Sequence, residues 1–415
     1  MSNHGKHMTE QERQELYKAL LTDGKTATAV AAELGINQKT ALAARRRLME
    51  AGYEKLTDQK KPQAPEDRHD AAFWRKKAAK LQRDHDALAS VVREMGALDG
   101  LKVRSPDWIY EGKPGKKGSA TLIVHNSDRH RGEVISPNEI NGWNAYNTEI
   151  HDKRVKRFMD AACELGRRWT DDTDVDGVLY TMGGDEISGD IHEELLMTNE
   201  LTSLEQVEGS AGIHVACLRQ LADEYGRVHV MAVPGNHGRT TKRPTAKKYG
   251  ALSYDIAIAK RVAHELRNDE RVSFEIADGP DIATILYHRP VLLTHGDKIG
   301  TGGGKGFAGP VLPIIRGGKQ VQLQYGGAGM TPYLILMGHY HTSAAPPGIL
   351  ANGSVPGMSE FGFGIRGSYD TPRQWLAVMR SRWGLAERQD VQLEEPLQPE
   401  KPRVRVQPAG APDGR

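Results

Sequence analysis

The segment LMGHYHT, residues 336–342, ends an apolar run, drops its side chain at Gly338 and then sets His339 and His341 two residues apart. With only 16 histidines in 415 residues, such a pair at the tip of a buried strand suggests a shared target. Imidazole nitrogen is both a proton carrier near neutral pH and a ligand for transition metals. Four other apolar runs end in residues of the same chemistry. TLIV (121–124) is followed by HNSDRHRG, with Asp128 and His130, and VLYTM (178–182) by GGDEISGD, with Asp185. VHVMAV (228–233) is followed by PGNHGR, with Asn236 and His237, and VLLT (291–294) by HGD, with His295.

Neutral imidazole combined with carboxylate and amide oxygen is a donor set for Mn, Fe, Zn or Ni, without thiolate. Asp128, His130, Asp185, Asn236, His295, His339 and His341 are too many ligands for one tetrahedral ion and suit two ions that share a bridge. Two ions roughly 3.5–4 Å apart can clamp a phosphoryl group and activate a shared hydroxide for in-line attack. Gly184, Gly235 and Gly338 each precede a ligand, where a strand has to turn sharply. Any one of these short motifs is more often an ordinary core or surface feature. Five in order, each at the end of an apolar run, make coincidence improbable.

In this order the motifs resemble the calcineurin-like metallophosphoesterase family, whose pattern is D-x-H, G-D, G-N-H, a lone His and G-H-x-H. Here they read Asp128-Arg129-His130, Gly184-Asp185, Gly235-Asn236-His237, His295 and Gly338-His339-Tyr340-His341. The resemblance covers about residues 120–355 and implies an α/β fold of two packed mixed β-sheets flanked by helices, an αββα sandwich. It also implies that Asp128, His130 and His341 hold one ion and Asn236, His295 and His339 the other, with Asp185 bridging and Tyr340 facing away. His237 is then the catalytic residue, touching the scissile phosphate and protonating the leaving oxygen. The implied cofactor is two divalent ions, Mn²⁺ first, with Fe, Zn or Ni as alternatives. The NGS at 352–354 is similar to the small-residue loop that follows G-H-x-H in the family. Two departures stand out. Many members carry an acid after G-N-H that orients the histidine; here Gly238 stands there, which leaves Asp128 or a backbone carbonyl to orient His237. Glu186 adds a carboxylate after the bridging aspartate, either to accept from an outer histidine or, the reading weighted higher, as a solvated loop residue.

Short apolar strands alternating with amphipathic helices are what an α/β architecture requires. One such helix places Val155, Phe158, Ala162, Leu165 and Trp169 on a single face. Upstream, residues 1–56 read as a small all-α domain. Ala27–Leu34, then Gly35, Ile36 and the capping Asn37, then a helix to about Glu50, resemble a helix-turn-helix module, with Ala31, Leu34, Ile36, Ala41 and Leu48 packing its helices. On that reading Gln38, Lys39 and Thr40 face the DNA groove and Arg45 and Arg46 lie near phosphates; a helical bundle that binds protein or nothing is the alternative. Residues 57–118 hold a polar linker and a heptad seam of Trp74, Ala78, Leu81, His85, Leu88, Val92 and Met95. That helix either forms a homodimer through 74–95 or packs on the chain's own catalytic domain. The phosphoesterase domain is placed at 119–384 and a disordered tail at 385–415, proline-rich from about Glu394.

Net charge is +2, so any surface for a polyanion has to be local. Arg129 and Arg239, beside the D-x-H and G-N-H motifs, are the candidate substrate-phosphate contacts, among neighbours Arg131, Lys242 and Arg243. The glycine-rich stretch 298–329 lacks phosphate-loop spacing and reads as an insertion overhanging the site. Two widely spaced cysteines support neither a thiolate zinc site nor a disulfide framework, and no apolar run approaches 18 residues, so no membrane is expected and the expected location is cytoplasmic. Domain arrangements of this sort look like those of bacteriophage-encoded phosphoesterases, for which the host cytoplasm is the setting. The expected function is a two-metal phosphodiesterase or nuclease acting on DNA or another nucleic acid. The alternative is a DNA-binding regulator whose phosphoesterase domain hydrolyses a small nucleotide, a phosphomonoester or a phosphoprotein.

Overall fold

All seven residues of β1 (Ser119–His125) are buried, as expected of a strand covered on both faces. The computed structural model describes residues 15–17, 19–20, 26–50, 79–80, 106–111, 118–299, 311–365, 367 and 369–395. The chain divides into two compact units, 1–81 and 82–415.

The larger unit is α/β with two mixed sheets. The first has the order β10-β9-β1-β2-β3-β4, where β2 is Asp174–Met182, β3 Val228–Ala232, β4 Val272–Ile276, β9 Arg373–Arg380 and β10 Gly384–Gln392. β1 to β4 run parallel, and β9 and β10 are antiparallel additions at one edge. The second sheet has the order β5-β6-β7-β8, formed by Asp281–Leu286, Arg289–Thr294, Leu334–Met337 and Ile349–Ala351. Here β6, β7 and β8 are parallel. The five apolar runs singled out in the sequence all lie on β1, β2, β3, β6 and β7, so the residues after them leave the carboxyl ends of parallel strands.

Strand alternation builds the layers. Ile123, Leu179 and Met231 point from the first sheet toward Leu293, Leu336 and Leu350 of the second. Leu122, Val178 and Val230 point the other way, onto α4 (Thr148–Trp169), α6 (Ser203–Tyr225) and α7 (Tyr254–Glu265). On α4, Val155, Phe158 and Ala162 are buried as their spacing requires, and Leu165 and Trp169 pack half-buried beside them. The outer face of the second sheet, through Leu292, Ile335 and Ile349, is covered by α8 (Val311–Gly327). α8 lies in the glycine-rich stretch read as an overhanging insertion. It is instead a helix that buries Pro313, Ile314, Gly317 and Gly318, and the glycines let it sit close against Ile299 and Ile349. Residues 300–310 lie outside the described residues.

The first sheet also continues past residue 384, where the domain was expected to end. β10 pairs antiparallel with β9, and Val391 and Leu393 are buried. Its other residues are largely polar and half-buried or exposed because it is an edge strand. Of the expected tail, 396–415 lie outside the described residues.

In the smaller unit, α1 (Ala27–Glu33) and α2 (Gln38–Glu50) are helices, and Asn37 Oδ1 accepts from Lys39 N at 2.8 Å. Ala31 and Ala41 are buried with Leu16, Leu20 and Val30, while Leu34 and Ile36 pack against them. The side chain of Leu48 and the heptad seam from Trp74 to Met95, apart from residues 79–80, lie outside the described residues. No helix among the described residues is long and apolar enough to cross a membrane.

Candidate metal centre

Asp128, His130 and His341 present ligand atoms that all lie within 4.8 Å of one another, and Asp185, His295 and His339 form a second such group. Asp185 Oδ2 lies 3.0 Å from His295 Nε2 and 3.9 Å from His130 Nε2, so one carboxylate reaches toward both groups. His130 Nε2 and His341 Nε2 are 3.0 Å apart, and His341 Nε2 is 3.4 Å from Asp128 Oδ1. Asn236 Oδ1 lies 3.2 Å from His295 Nε2. Metal–nitrogen bonds of about 2.0–2.1 Å put two ligands of one ion roughly 3–4 Å apart, which is the spacing found here. The structure therefore gathers all seven expected donors, and the two groups could each hold a metal ion.

The main chain is bent to do this. Among the described residues, nine non-glycine residues have positive φ, and five of them are Asp128 (+49°), His130 (+44°), Asp185 (+53°), His339 (+70°) and His341 (+49°). Each such conformation costs on the order of 1–3 kcal/mol and persists where surrounding contacts over-determine it. Those contacts are visible. His237 N donates to Asp185 Oδ1 at 2.7 Å and His339 N to Asp128 Oδ1 at 2.9 Å, so each carboxylate is fixed by the backbone of another ligand loop. A Cβ on Gly235 would lie 2.1 Å from Asp185 Oδ1, and one on Gly338 2.0 Å from Asp128 Oδ2. These two glycines are required by the close approach of a ligand carboxylate rather than by a turn. Asn352, in the NGS segment, donates to the carbonyl of His125 and to Ser127 Oγ, and Val355 N donates to the carbonyl of Asp128, tying this segment to the D-x-H loop.

Charge follows geometry. Burial lowers His130 well below the ordinary imidazole value, helped by His237 and His341, and brings His339 down to about 4. Neutral rings are the form that binds metal. Burial opposes protonation of His295 and His341 as well, but the carboxylates of Asp185 and Asp128 outweigh it and raise both. Those carboxylates are in turn held low against their burial, by His295 for Asp185 and by His341 for Asp128.

His237 lies beside this cluster, its ring edge-on to His130 with centroids 4.6 Å apart. Its Nδ1 is 2.9 Å from the carbonyl of Ser188, which only accepts, so Nδ1 carries the proton and Nε2 is the free nitrogen. Of the two orienting groups the sequence allowed, the backbone carbonyl is the one in contact. Beside it the space next to Gly238 is taken by Asp255: a Cβ there would lie 2.2 Å from Asp255 Oδ2. Asp255, buried on the first turn of α7, accepts from Gly235 N (2.8 Å), Glu186 N (3.0 Å) and Asp185 N (3.3 Å). It ties the G-D and G-N-H loops together, and the sequence reading missed it. The pattern Ser253-Tyr254-Asp255 signals only a helix start, with Ser253 as its cap. Glu133 was missed too: it lies 3.9 Å from His130 Nδ1, and burial raises its carboxyl to about 7.

Two expectations are corrected. Arg129, a candidate phosphate contact, is 0% exposed. Its Nε donates to Asn126 Oδ1 at 2.8 Å and its Nη2 to the Tyr180 hydroxyl at 2.7 Å, so it points into the interior, away from any substrate. Glu186, favoured as a solvated loop residue, is likewise fully buried and pairs with His214 Nε2 at 2.8 Å. Arg239 is half-buried and donates from Nε to the carbonyl of Thr241, while Lys242 and Arg243 are exposed. In the smaller unit Gln38, Lys39, Thr40 and Arg46 are exposed and Arg45 is half-buried, with Gln38 Nε2 donating to Thr28 Oγ1 at 2.9 Å. No family model and no curated protein matches the chain.

Proposed function

We propose that the protein is a two-metal phosphoesterase of the calcineurin-like kind, and most specifically a phosphodiesterase that acts on nucleic acid. The observation that carries this is the position of Asp185 Oδ2 between His295 and His130, which is the place of a carboxylate shared by two ions. Asp128, His130 and His341 would hold one ion and Asn236, His295 and His339 the other, with Mn²⁺ the first choice for a nitrogen and oxygen set. When bound, two such ions supply Lewis-acid charge to a phosphoryl group and activate water. The remaining chemistry falls to His237. Its Nδ1–H is committed to Ser188, and burial keeps the ring neutral. A phosphate dianion or monoanion beside Nε2 favours the charged ring, so His237 takes up a proton from solvent as substrate binds and gives it to the leaving oxygen. The nucleic-acid part of the proposal draws on the exposed Gln38, Lys39, Thr40 and Arg46 at and after the start of α2.

Hydrolysis of bis-p-nitrophenyl phosphate and p-nitrophenyl phosphate with added Mn²⁺ tests this. The diester is expected to be the better substrate, and Asp185→Asn is expected to lose bound metal and turnover together. Preference for the monoester would remove the nuclease reading. No turnover of either ester with Mn, Fe, Zn or Ni, or an Asp185→Asn protein that keeps two ions and full activity, would remove the phosphoesterase itself.

A further inference from the structure

Beneath the donor cluster lies a group of charged and polar side chains that takes no part in the proposed chemistry. Arg129 stands in the chain between the ligands Asp128 and His130, and Glu186 directly follows the shared Asp185. Both turn inward. Arg129 Nε is 3.7 Å from Glu186 Oε2. Glu186 Oε2 accepts from His214 Nε2 at 2.8 Å, His214 Nδ1 accepts from the Tyr180 hydroxyl at 2.9 Å, and that hydroxyl accepts from Arg129 Nη2 at 2.7 Å. The ring of contacts is closed: loop 127–131, β2 and α6 each contribute to it, and Glu186 completes it from loop 183–188. All four side chains are 0% exposed.

An ion pair this deep is an unlikely choice for stability alone, since well-packed apolar residues in such a place are often equal or better. What it does add is geometry. The two ligand loops are already laddered through their backbones, with Asp128 N on the carbonyl of Gly184, His130 N on that of Asp185 and Arg131 N on that of Glu186. That ladder sets the register of one loop against the other. It leaves open how far the two loops together lean away from α6 and the sheet. The Arg129–Tyr180–His214–Glu186 ring constrains this, because it joins Arg129, next in the chain to two of the ligands, and Glu186, next to a third, to a strand and a helix that carry none.

We infer that Arg129, Glu186, His214 and Tyr180 are positioning residues that hold the loops of Asp128, His130 and Asp185 at the separation a pair of ions requires. This rests on the two-ion reading above. Residues that orient ligands without touching the ion typically change metal affinity by about 10–100-fold when replaced. Tyr180→Phe keeps the ring and removes the hydroxyl that links Arg129 to His214; Glu186→Gln keeps the shape and replaces the carboxyl group by an amide.

The test measures Mn²⁺ binding by calorimetry and the spin-coupled spectrum of the Mn²⁺ pair by electron paramagnetic resonance, alongside thermal unfolding. Wild type is expected to bind two ions that couple. Both variants are expected to stay folded and to unfold cooperatively at a lower temperature than wild type, as buried partners are lost, and to bind at least one ion about tenfold or more weaker and to lose the coupled spectrum. Two ions bound with wild-type affinity and unchanged coupling in both variants would overturn the inference and leave the phosphoesterase reading standing. Wild type that takes up no metal would remove both. If either single variant fails to fold, Arg129→Met with Glu186→Leu removes both buried charges at once and decides: native metal loading overturns the inference, and weakened, uncoupled binding supports it.

Discussion

Asp255 shows how much of this centre depends on residues that would never touch an ion. Its carboxylate takes three backbone N–H groups from two ligand loops and fills the space beside Gly238. Asp255→Ala would leave those three donors unpaired in the interior, at about 1–3 kcal/mol each. We expect a loss of about 3 kcal/mol or more in urea unfolding together with weakened Mn²⁺ binding, and Gly238→Ala to weaken Mn²⁺ binding in the same direction by pushing on the same carboxylate. Unchanged unfolding and metal affinity in Asp255→Ala would show that the loops are held elsewhere. The donors themselves were legible in the sequence because each follows an apolar run with a residue type that a buried strand end rarely needs. Asp255 was not, because an aspartate at a helix start is ordinary and its partners lie up to 70 positions away. Arg129 misled for a related reason. An arginine next to a ligand suggests a phosphate contact, and nothing local announces that Tyr180 and Glu186 wait for it inside.

At the scale of elements, the strands that aim the donors were readable because burial on both faces leaves a continuous apolar run. β10 was not, since an edge strand shows solvent a polar alternation that resembles a tail. α8 was obscured by its own glycines, which serve close packing on Ile299 and Ile349 and look like loop in one dimension. Ending the chain after Trp383 removes β10 and with it the buried Val391 and Leu393 and the Arg154 partner Glu394. Burial of two such side chains stabilises by roughly 1.5–3 kcal/mol each. A chain ended after Trp383 is therefore expected to melt several degrees below one ended after Glu395, by calorimetry. Equal melting temperatures would mean that the edge strand contributes nothing.

For the whole molecule, the two units carry different parts of the proposed function. The larger holds every donor, and the smaller holds the exposed polar start of α2. If the smaller unit is what brings DNA to the enzyme, deleting residues 1–56 should weaken DNA binding in a gel-shift titration while leaving hydrolysis of bis-p-nitrophenyl phosphate near the wild-type rate. Unchanged DNA affinity after that deletion would take the helix-turn-helix role away, whatever the fate of the hydrolysis.

The left-handed backbone at five of the donors bears on which amino acids evolution can try there. Aspartate, asparagine and histidine visit that region several-fold more readily than other side chains bearing a Cβ. Glutamate and cysteine would offer equally good donor atoms, yet they enter that conformation far less willingly. The restricted vocabulary of this centre, two side-chain types at all five of these positions, is thus written by main-chain sterics as much as by coordination chemistry.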